Sequence, residues 1–241
     1  MTVASFVRQQ LVRLGSGLRA SVKPELEAVY QSIFDRDLAG LGIPNTFYPL
    51  GGAANYSFLY LILRAAQEHE IRSIVELGAG QTTLLLDALR RKHVIKTDAI
   101  VTMENDRFWA SHIGGKVTHE IKCVPLRATR TADLQYSGYD LTNVDLPSKI
   151  DLLLIDGPVG WGSPDLTFAR LGALPILDHL NTDEGFLIVV DDAEREGEKA
   201  LVANISSTLQ GRGVSFHQGQ VTALKRQVVF ASGNMSAAAF Y

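Results

Sequence analysis

Two glycines preceded by a carboxylate form the most chemically suggestive stretch of the chain: Val75-Glu76-Leu77-Gly78-Ala79-Gly80-Gln81-Thr82-Thr83. Glycines at this spacing let the backbone turn tightly and let a ligand approach the main chain. Glu104, followed by Asn105, comes about 24 residues after Gly80 at the end of the next apolar run. A carboxylate placed there accepts hydrogen bonds from ribose hydroxyls. A tight turn with two solvated acids is the plain structural alternative. A dinucleotide site shares this geometry, but it asks for a small residue where Thr83 stands. Glu76 would also repel a pyrophosphate, whereas it would attract an ammonium group.

Three aspartates form a second group. Asp156 ends the run Leu152-Leu153-Leu154-Ile155, and Asp191-Asp192 end the run Phe186–Val190. In a parallel sheet both tips lie at one edge, on strands about 5 Å apart. Carboxylates this close resist ionisation together. A hard divalent cation such as Mg²⁺ would remove the conflict. Helix capping is the other reading, since Asp191-x-x-Glu194 forms a capping box and Asp192 is itself a candidate N-cap.

The elements that must position these groups alternate along the chain. Strands are expected over Ile71–Leu77, Ala99–Met103, Ile121–Leu126, Ile150–Ile155 and Phe186–Val190. Helices are expected over Thr82–Arg91, Asp106–Ile113, Asp165–Leu180 and Glu194–Leu209. Near-continuous apolar strands separated by helices imply a doubly wound α/β fold, its parallel sheet covered on both faces. Val214–His217 and Val221–Phe230 are separated only by Gln218-Gly219-Gln220. So short a link predicts an antiparallel hairpin at the end. Upstream, Phe6, Val7, Gln10, Leu11 and Leu14 give a helical stripe, Pro24 opens a second helix through Phe34 and Leu38, and Asn55 caps a third running to Glu70. Residues 1–54 thus read as a helical extension with an active-site loop, and residues 55–241 as the cofactor-binding domain.

Glu76-x-Gly78-x-Gly80, Glu104, Asp156 and the closing hairpin together resemble the class I S-adenosylmethionine-dependent methyltransferases over about residues 55–231. The resemblance implies a Rossmann-like seven-stranded sheet ordered third, second, first, fourth, fifth, seventh, sixth. It implies S-adenosylmethionine as cofactor, held by Glu76, Gly78, Ala79, Gly80, Thr82, Thr83, Glu104, Asn105 and Asp156. Gly78 and Gly80 would line its methionine end, Glu76 would sit near its amino group and Glu104 would hold its ribose. Thr82 departs from the many members that carry a third glycine there. The aspartates resemble those of the catechol O-methyltransferase-like enzymes and certain sugar O-methyltransferases, which hold Mg²⁺. By that likeness Asp156, Asp191 and Asp192 are metal ligands and Asp156 is catalytic. The lysine base that follows the first aspartate in catechol-type enzymes is replaced here by Gly157-Pro158-Val159-Gly160.

The expected function is methyl transfer to an oxygen of a small molecule or glycan. A cofactor-binding protein without catalysis and a nicotinamide oxidoreductase are the alternatives. The formal net charge of −3 over 241 residues gives no electrostatic footprint for nucleic acid. No apolar run approaches the roughly 20 residues that span a bilayer, and Arg8, Arg13 and Arg19 interrupt any signal-like segment. The single Cys123, read as a small core residue, fits a reducing cytoplasm. Tyr48, Tyr56 and Trp161, on loops at the ligand edge, are candidate substrate contacts. The insertion Arg127–Lys149 is long enough to make a flap. His217 is placed near the ligand edge, His179 is read as a core or surface residue, and His69, His93, His112 and His119 are read as surface residues. The N-terminal stripe would dock on the domain, pair two subunits or touch anionic lipid.

Overall fold

The computed structural model describes residues 22–50, 52–97, 99–130 and 134–241. Short apolar runs become strands: β1 (Ser73–Leu77), β2 (Ala99–Glu104), β3 (Ile121–Cys123), β4 (Leu126–Arg130), β5 (Gln135–Tyr139), β6 (Leu152–Ile155), β7 (Leu187–Val190), β8 (His217–Thr222) and β9 (Arg226–Ala231). Between and around them run α1 (Glu27–Gly40), α2 (Tyr56–Glu68), α3 (Gln81–Arg91), α4 (Arg107–Gly114) and α5 (Glu196–Gly211).

The main sheet is ordered β3-β2-β1-β6-β7-β9-β8. β3, β2, β1, β6 and β7 pair in parallel, and β9 runs antiparallel to both β7 and β8. With β4 and β5 set aside, this is the expected order with its closing hairpin, a doubly wound Rossmann-like fold. Side chains leave a strand on alternate faces. Ile74, Leu152, Leu154, Leu187 and Val189 enter a core shared with α1, α2 and α3. Val75, Leu153, Ile155, Ile188 and Val190 enter a second core, shared with α5 and the 3₁₀ helix Ala169–His179. Both faces are therefore covered, as wholly buried β1, β6 and β7 require. The chain passes from β1 to β2 on one side, and β6 lies on the other. The carboxyl ends of β1 and β6 thus form the switch-point crevice where open α/β sheets bind ligands.

Several expectations are corrected. The hairpin turn lies at Ala223-Leu224-Lys225, not at Gln218-Gly219-Gln220. Gly219 sits inside β8 because the Ala239 carbonyl approaches its backbone; a Cβ there would lie 1.7 Å from that oxygen. His217 pairs with Ala231, opposite the start of β7, so it lies at the far edge of the sheet from the ligand end. The run Ile121–Leu126 splits, β3 ending at Cys123 and Leu126 opening β4 of a separate two-stranded sheet. Cys123 is exposed because β3 is a short edge strand. The region Asp165–Leu180 forms two 3₁₀ stretches, with Pro175 inside the second, and proline has no N–H to continue an α-helical ladder. The Arg127–Lys149 insertion makes the β4–β5 ribbon, packed where Gly138 meets Gly172. His119 is buried rather than superficial, its side chain 4% exposed beside Asp87. The stripe Phe6 to Leu14 lies outside the described residues. No helix among the described residues is long and apolar enough to cross a membrane.

Candidate functional site

At the tip of β1 the chain turns through Gly78, whose φ is +94°, a region that favours glycine. A Cβ on Gly78 would lie 2.8 Å from the backbone nitrogen of Gly157, so the loops after β1 and β6 touch at the switch point. Gly80 is different. It is extended, with φ 179°, and a Cβ there would meet nothing within 4 Å. The main chain at Gly80 therefore borders open space at the start of α3.

The acids around this turn have distinct surroundings. Glu76 is fully buried, and its oxygens accept hydrogen bonds from the hydroxyls of Thr82, Thr83 and Thr102, the last two at 2.8 Å. Burial pushes its carboxyl up to about 7 against the pull of those hydroxyls. Thr83 also accepts from the Gly80 amide at 2.8 Å, so Glu76 braces the turn from below. Glu104, at the tip of β2, accepts from the amides of Ala79 (3.1 Å), Asn105 (2.7 Å) and Asp106 (2.8 Å). Burial nevertheless raises its carboxyl. Trp109 donates its ring N–H to the Ala79 carbonyl at 2.7 Å and so lies against the same turn, partly exposed. The expected residues Glu76, Gly78, Ala79, Gly80, Thr82, Thr83, Glu104 and Asn105 thus come together at one turn, with Glu76, Thr82 and Thr83 buried beneath it.

The state of Glu76 gives a pH dependence with a definite sign. A carboxyl raised in the folded state contributes stability fully present below its unfolded value, near 4.5, and lost as pH rises through about 7. Chemical denaturation of the wild type and Glu76→Gln at pH 4 and pH 8 is expected to show the wild type losing about 3 kcal/mol relative to the amide. Parallel pH curves for the two proteins would refute this placement of Glu76.

Asp156, Asp191 and Asp192 meet at the tips of β6 and β7, each offering an oxygen within 4.8 Å of the others. The cations among them were not foreseen. Arg170, from the 3₁₀ helix, is buried and donates to the carbonyls of Pro158 (3.2 Å) and Asp191 (3.0 Å) and to Asp192 Oδ2 (3.1 Å). It also lies 3.4 Å from Asp156 Oδ1 and 3.3 Å from Glu198 Oε1. Lys225, from the β8–β9 turn, places Nζ 2.8 Å from Asp191 Oδ2 and 3.2 Å from Asp192 Oδ1. Arg195 pairs with Asp192 Oδ2 at 2.8 Å. Gln227 donates to Asp191 Oδ1 at 2.6 Å and to Asn55 Oδ1 at 3.0 Å. Asn55 in turn donates to Glu27 at 2.8 Å, so α1 is tied to this edge.

This arrangement settles the capping alternative. α5 begins at Glu196 after Arg195, and its N-cap makes no side-chain bond. Asp191 and Asp192 face cations and Gln227 instead, and Asp192 holds a left-handed φ of +57°. The Glu194 carboxylate accepts from the Arg226 amide at 2.9 Å rather than closing a capping box. The mutual repulsion that suggested a divalent cation is relieved by Lys225, Arg170 and Arg195. Both Asp191 oxygens are already engaged, whereas Asp192 Oδ1 makes no hydrogen bond and Asp156 stays partly exposed.

Asp191 and Asp156 behave oppositely. Despite the cost of burial, Lys225 and Gln227 hold Asp191 down at about 2. Burial and the neighbouring Asp191 push Asp156 well above the usual carboxylate range, although Lys225 and Arg170 pull it back. Asp156 is also the accessible member, 17% exposed against 0% and 2% for the others. A carboxylate that is reachable, raised and beside the crevice is suited to accept a proton.

Among the expected substrate contacts, Tyr48 and Trp161 are strongly exposed at this edge, and the Tyr48 amide donates to Gln81 at the start of α3 (2.9 Å). Tyr56 instead turns inward, its ring 5.8 Å from that of Phe34.

No protein-family model matches the chain, and no curated protein matches it. Among solved structures, a methyltransferase from Pyrococcus furiosus aligns with 87% of this chain and 98% of its own at 14% identity and a TM-score of 0.49. A methyltransferase from Geobacter sulfurreducens aligns over 93% and 96% at 15% identity, TM-score 0.46. A TehB-like SAM-dependent methyltransferase from Corynebacterium glutamicum aligns over 88% and 100% at 15% identity, TM-score 0.43.

Proposed function

We propose that the protein binds S-adenosylmethionine in the crevice between β1 and β6 and transfers its methyl group to an oxygen of a small molecule or glycan. The observation that carries this reading is the open backbone at Gly80, one residue beyond the Ala79 amide that Glu104 holds and two beyond Gly78, which touches the Asp156-Gly157 backbone. The cofactor supplies an activated methyl group on a sulfonium. The backbone of Gly78 to Gly80 would take its methionine end, and Glu104, fixed by three amides, would accept from its ribose hydroxyls. The buried Thr83, hydrogen-bonded to Glu76, leaves no small-residue gap for a pyrophosphate, which disfavours a nicotinamide cofactor. Asp156 accepts the proton of the acceptor hydroxyl as the new C–O bond forms and the C–S bond breaks. The protein's share is then alignment and proton removal. No step needs Mg²⁺.

Gly80→Val tests the assignment without touching the fold. Its backbone is extended and its Cβ position open, so the melting temperature should hold. S-adenosylmethionine affinity, followed by quenching of Trp109 fluorescence, should fall at least about tenfold, a loss of 1.4 kcal/mol or more. Unchanged affinity in a folded variant would move the cofactor elsewhere.

A further inference from the structure

We infer that the Lys225 ammonium is the resident cation of the aspartate cluster, standing where a divalent ion would otherwise bind. The inference rests on the ion pairs alone, not on methyl transfer, and failure of either leaves the other standing.

Lys225 is not a surface lysine that happens to lie near acids. Its side chain is 9% exposed, and Nζ sits 2.8 Å and 3.2 Å from oxygens of two different aspartates. The turn that carries it is anchored on every side. Ala223 donates to the Lys225 carbonyl at 2.9 Å, closing the turn, and Ala193 donates to the Arg226 carbonyl at 2.8 Å. The Arg226 amide bonds Glu194 at 2.9 Å, and the Leu224 amide reaches Glu27 at 3.4 Å. The segment that bears Asp191 and Asp192 therefore also fixes the backbone that delivers the lysine.

Hard cations seek several carboxylate oxygens at once, and here an ammonium already lies against one from each of the paired aspartates, hydrogen-bonded to Asp191 Oδ2 and 3.2 Å from Asp192 Oδ1. A metal ion bound to those oxygens would lie within a few ångströms of a positive charge in a poorly solvated site, where repulsion is strong. Arg170 and Arg195 hold Asp192 Oδ2. They add positive charge on the remaining side, so the wild-type cluster is already compensated. Removing the ammonium reverses this. Asp191 Oδ2 and Asp192 Oδ1 lose their cation, stay buried, and gain the space that Nζ filled. A small divalent ion is the species that restores the balance.

The experiment uses the full chain and two probes, Mn²⁺ followed by electron paramagnetic resonance and Mg²⁺ followed by thermal melting. Wild type and Lys225→Arg should show no stoichiometric Mn²⁺ and no Mg²⁺-dependent change in melting temperature. Lys225→Ser should melt lower, bind about one Mn²⁺ per chain and regain several degrees on adding Mg²⁺. Adding Asp191→Asn to that variant should abolish the binding. One tightly bound Mn²⁺ in the wild type, lost on Asp191→Asn, would overturn the inference, as would a folded Lys225→Ser with no gain in cation affinity. If Lys225→Ser does not fold even with Mg²⁺, the wild-type titration decides alone: no bound Mn²⁺ supports the inference and a bound one refutes it.

Discussion

Asp156→Asn is expected to lower methyl transfer by about 10²–10⁴-fold, the usual range for loss of a positioned proton acceptor. Asparagine keeps the size of the side chain and an oxygen for Arg170 but cannot take the acceptor's proton. S-adenosylmethionine affinity should change little, because Glu104 and the glycine turn provide its proposed contacts. Stability should move the other way. The wild-type carboxyl is raised by burial and by Asp191, so the stability it contributes is present at low pH and lost as pH rises through its folded value. The asparagine variant should therefore melt at the same temperature as wild type or higher at pH 8. Wild-type activity should be lost as pH falls below a value well above the usual carboxylate range, and the variant's residual activity should lack that limb. Near-normal turnover in Asp156→Asn would remove this residue from the chemistry.

Arg170→Met is expected to cost about 3–5 kcal/mol of folding stability, the range for stripping a buried cation from its partners. The guanidinium joins the β6 and β7 tips through the carbonyls of Pro158 and Asp191, and it faces Asp156, Asp192 and Glu198. Methionine fills much of the volume, so the loss reports charge and hydrogen bonds more than a cavity. The penalty should be smaller at pH 5 than at pH 8. Burial already raises Asp156 and Glu198, and protonating them relieves the unpaired charge. Urea denaturation at both pH values measures this. A loss under about 1 kcal/mol at pH 8 would mean the pairs are only surface-like in strength.

How much of this was legible in the sequence follows from where each signal is encoded. Leu152–Ile155 reads as a central strand because burial on both faces makes it wholly apolar. Glu76, Gly78, Gly80 and Glu104 read as a crevice because they lie in order on consecutive strand tips. The aspartates were visible for the same reason, but their partners were not. Lys225 pairs with a residue 34 positions earlier, through a hairpin whose turn was placed at Gly219. Glycine there signals a turn, yet the residue is demanded by the Ala239 carbonyl against the middle of β8. The signal for Lys225 was the charged Lys225-Arg226 step between Ala223-Leu224 and the apolar run Val228–Phe230. Arg170 carried a comparable cue, an isolated cation in the apolar stretch Phe168–Leu177. The capping box failed on a backbone detail, the left-handed turn at Asp192 that delays α5 to Glu196.

The central claim is that the switch-point crevice is a site for S-adenosylmethionine, and calorimetric titration of the wild-type chain tests it most directly. One equivalent of S-adenosylmethionine should bind, S-adenosylhomocysteine should compete for the same site, and NAD⁺ should give no heat. Saturable NAD⁺ binding with no S-adenosylmethionine signal would contradict the account.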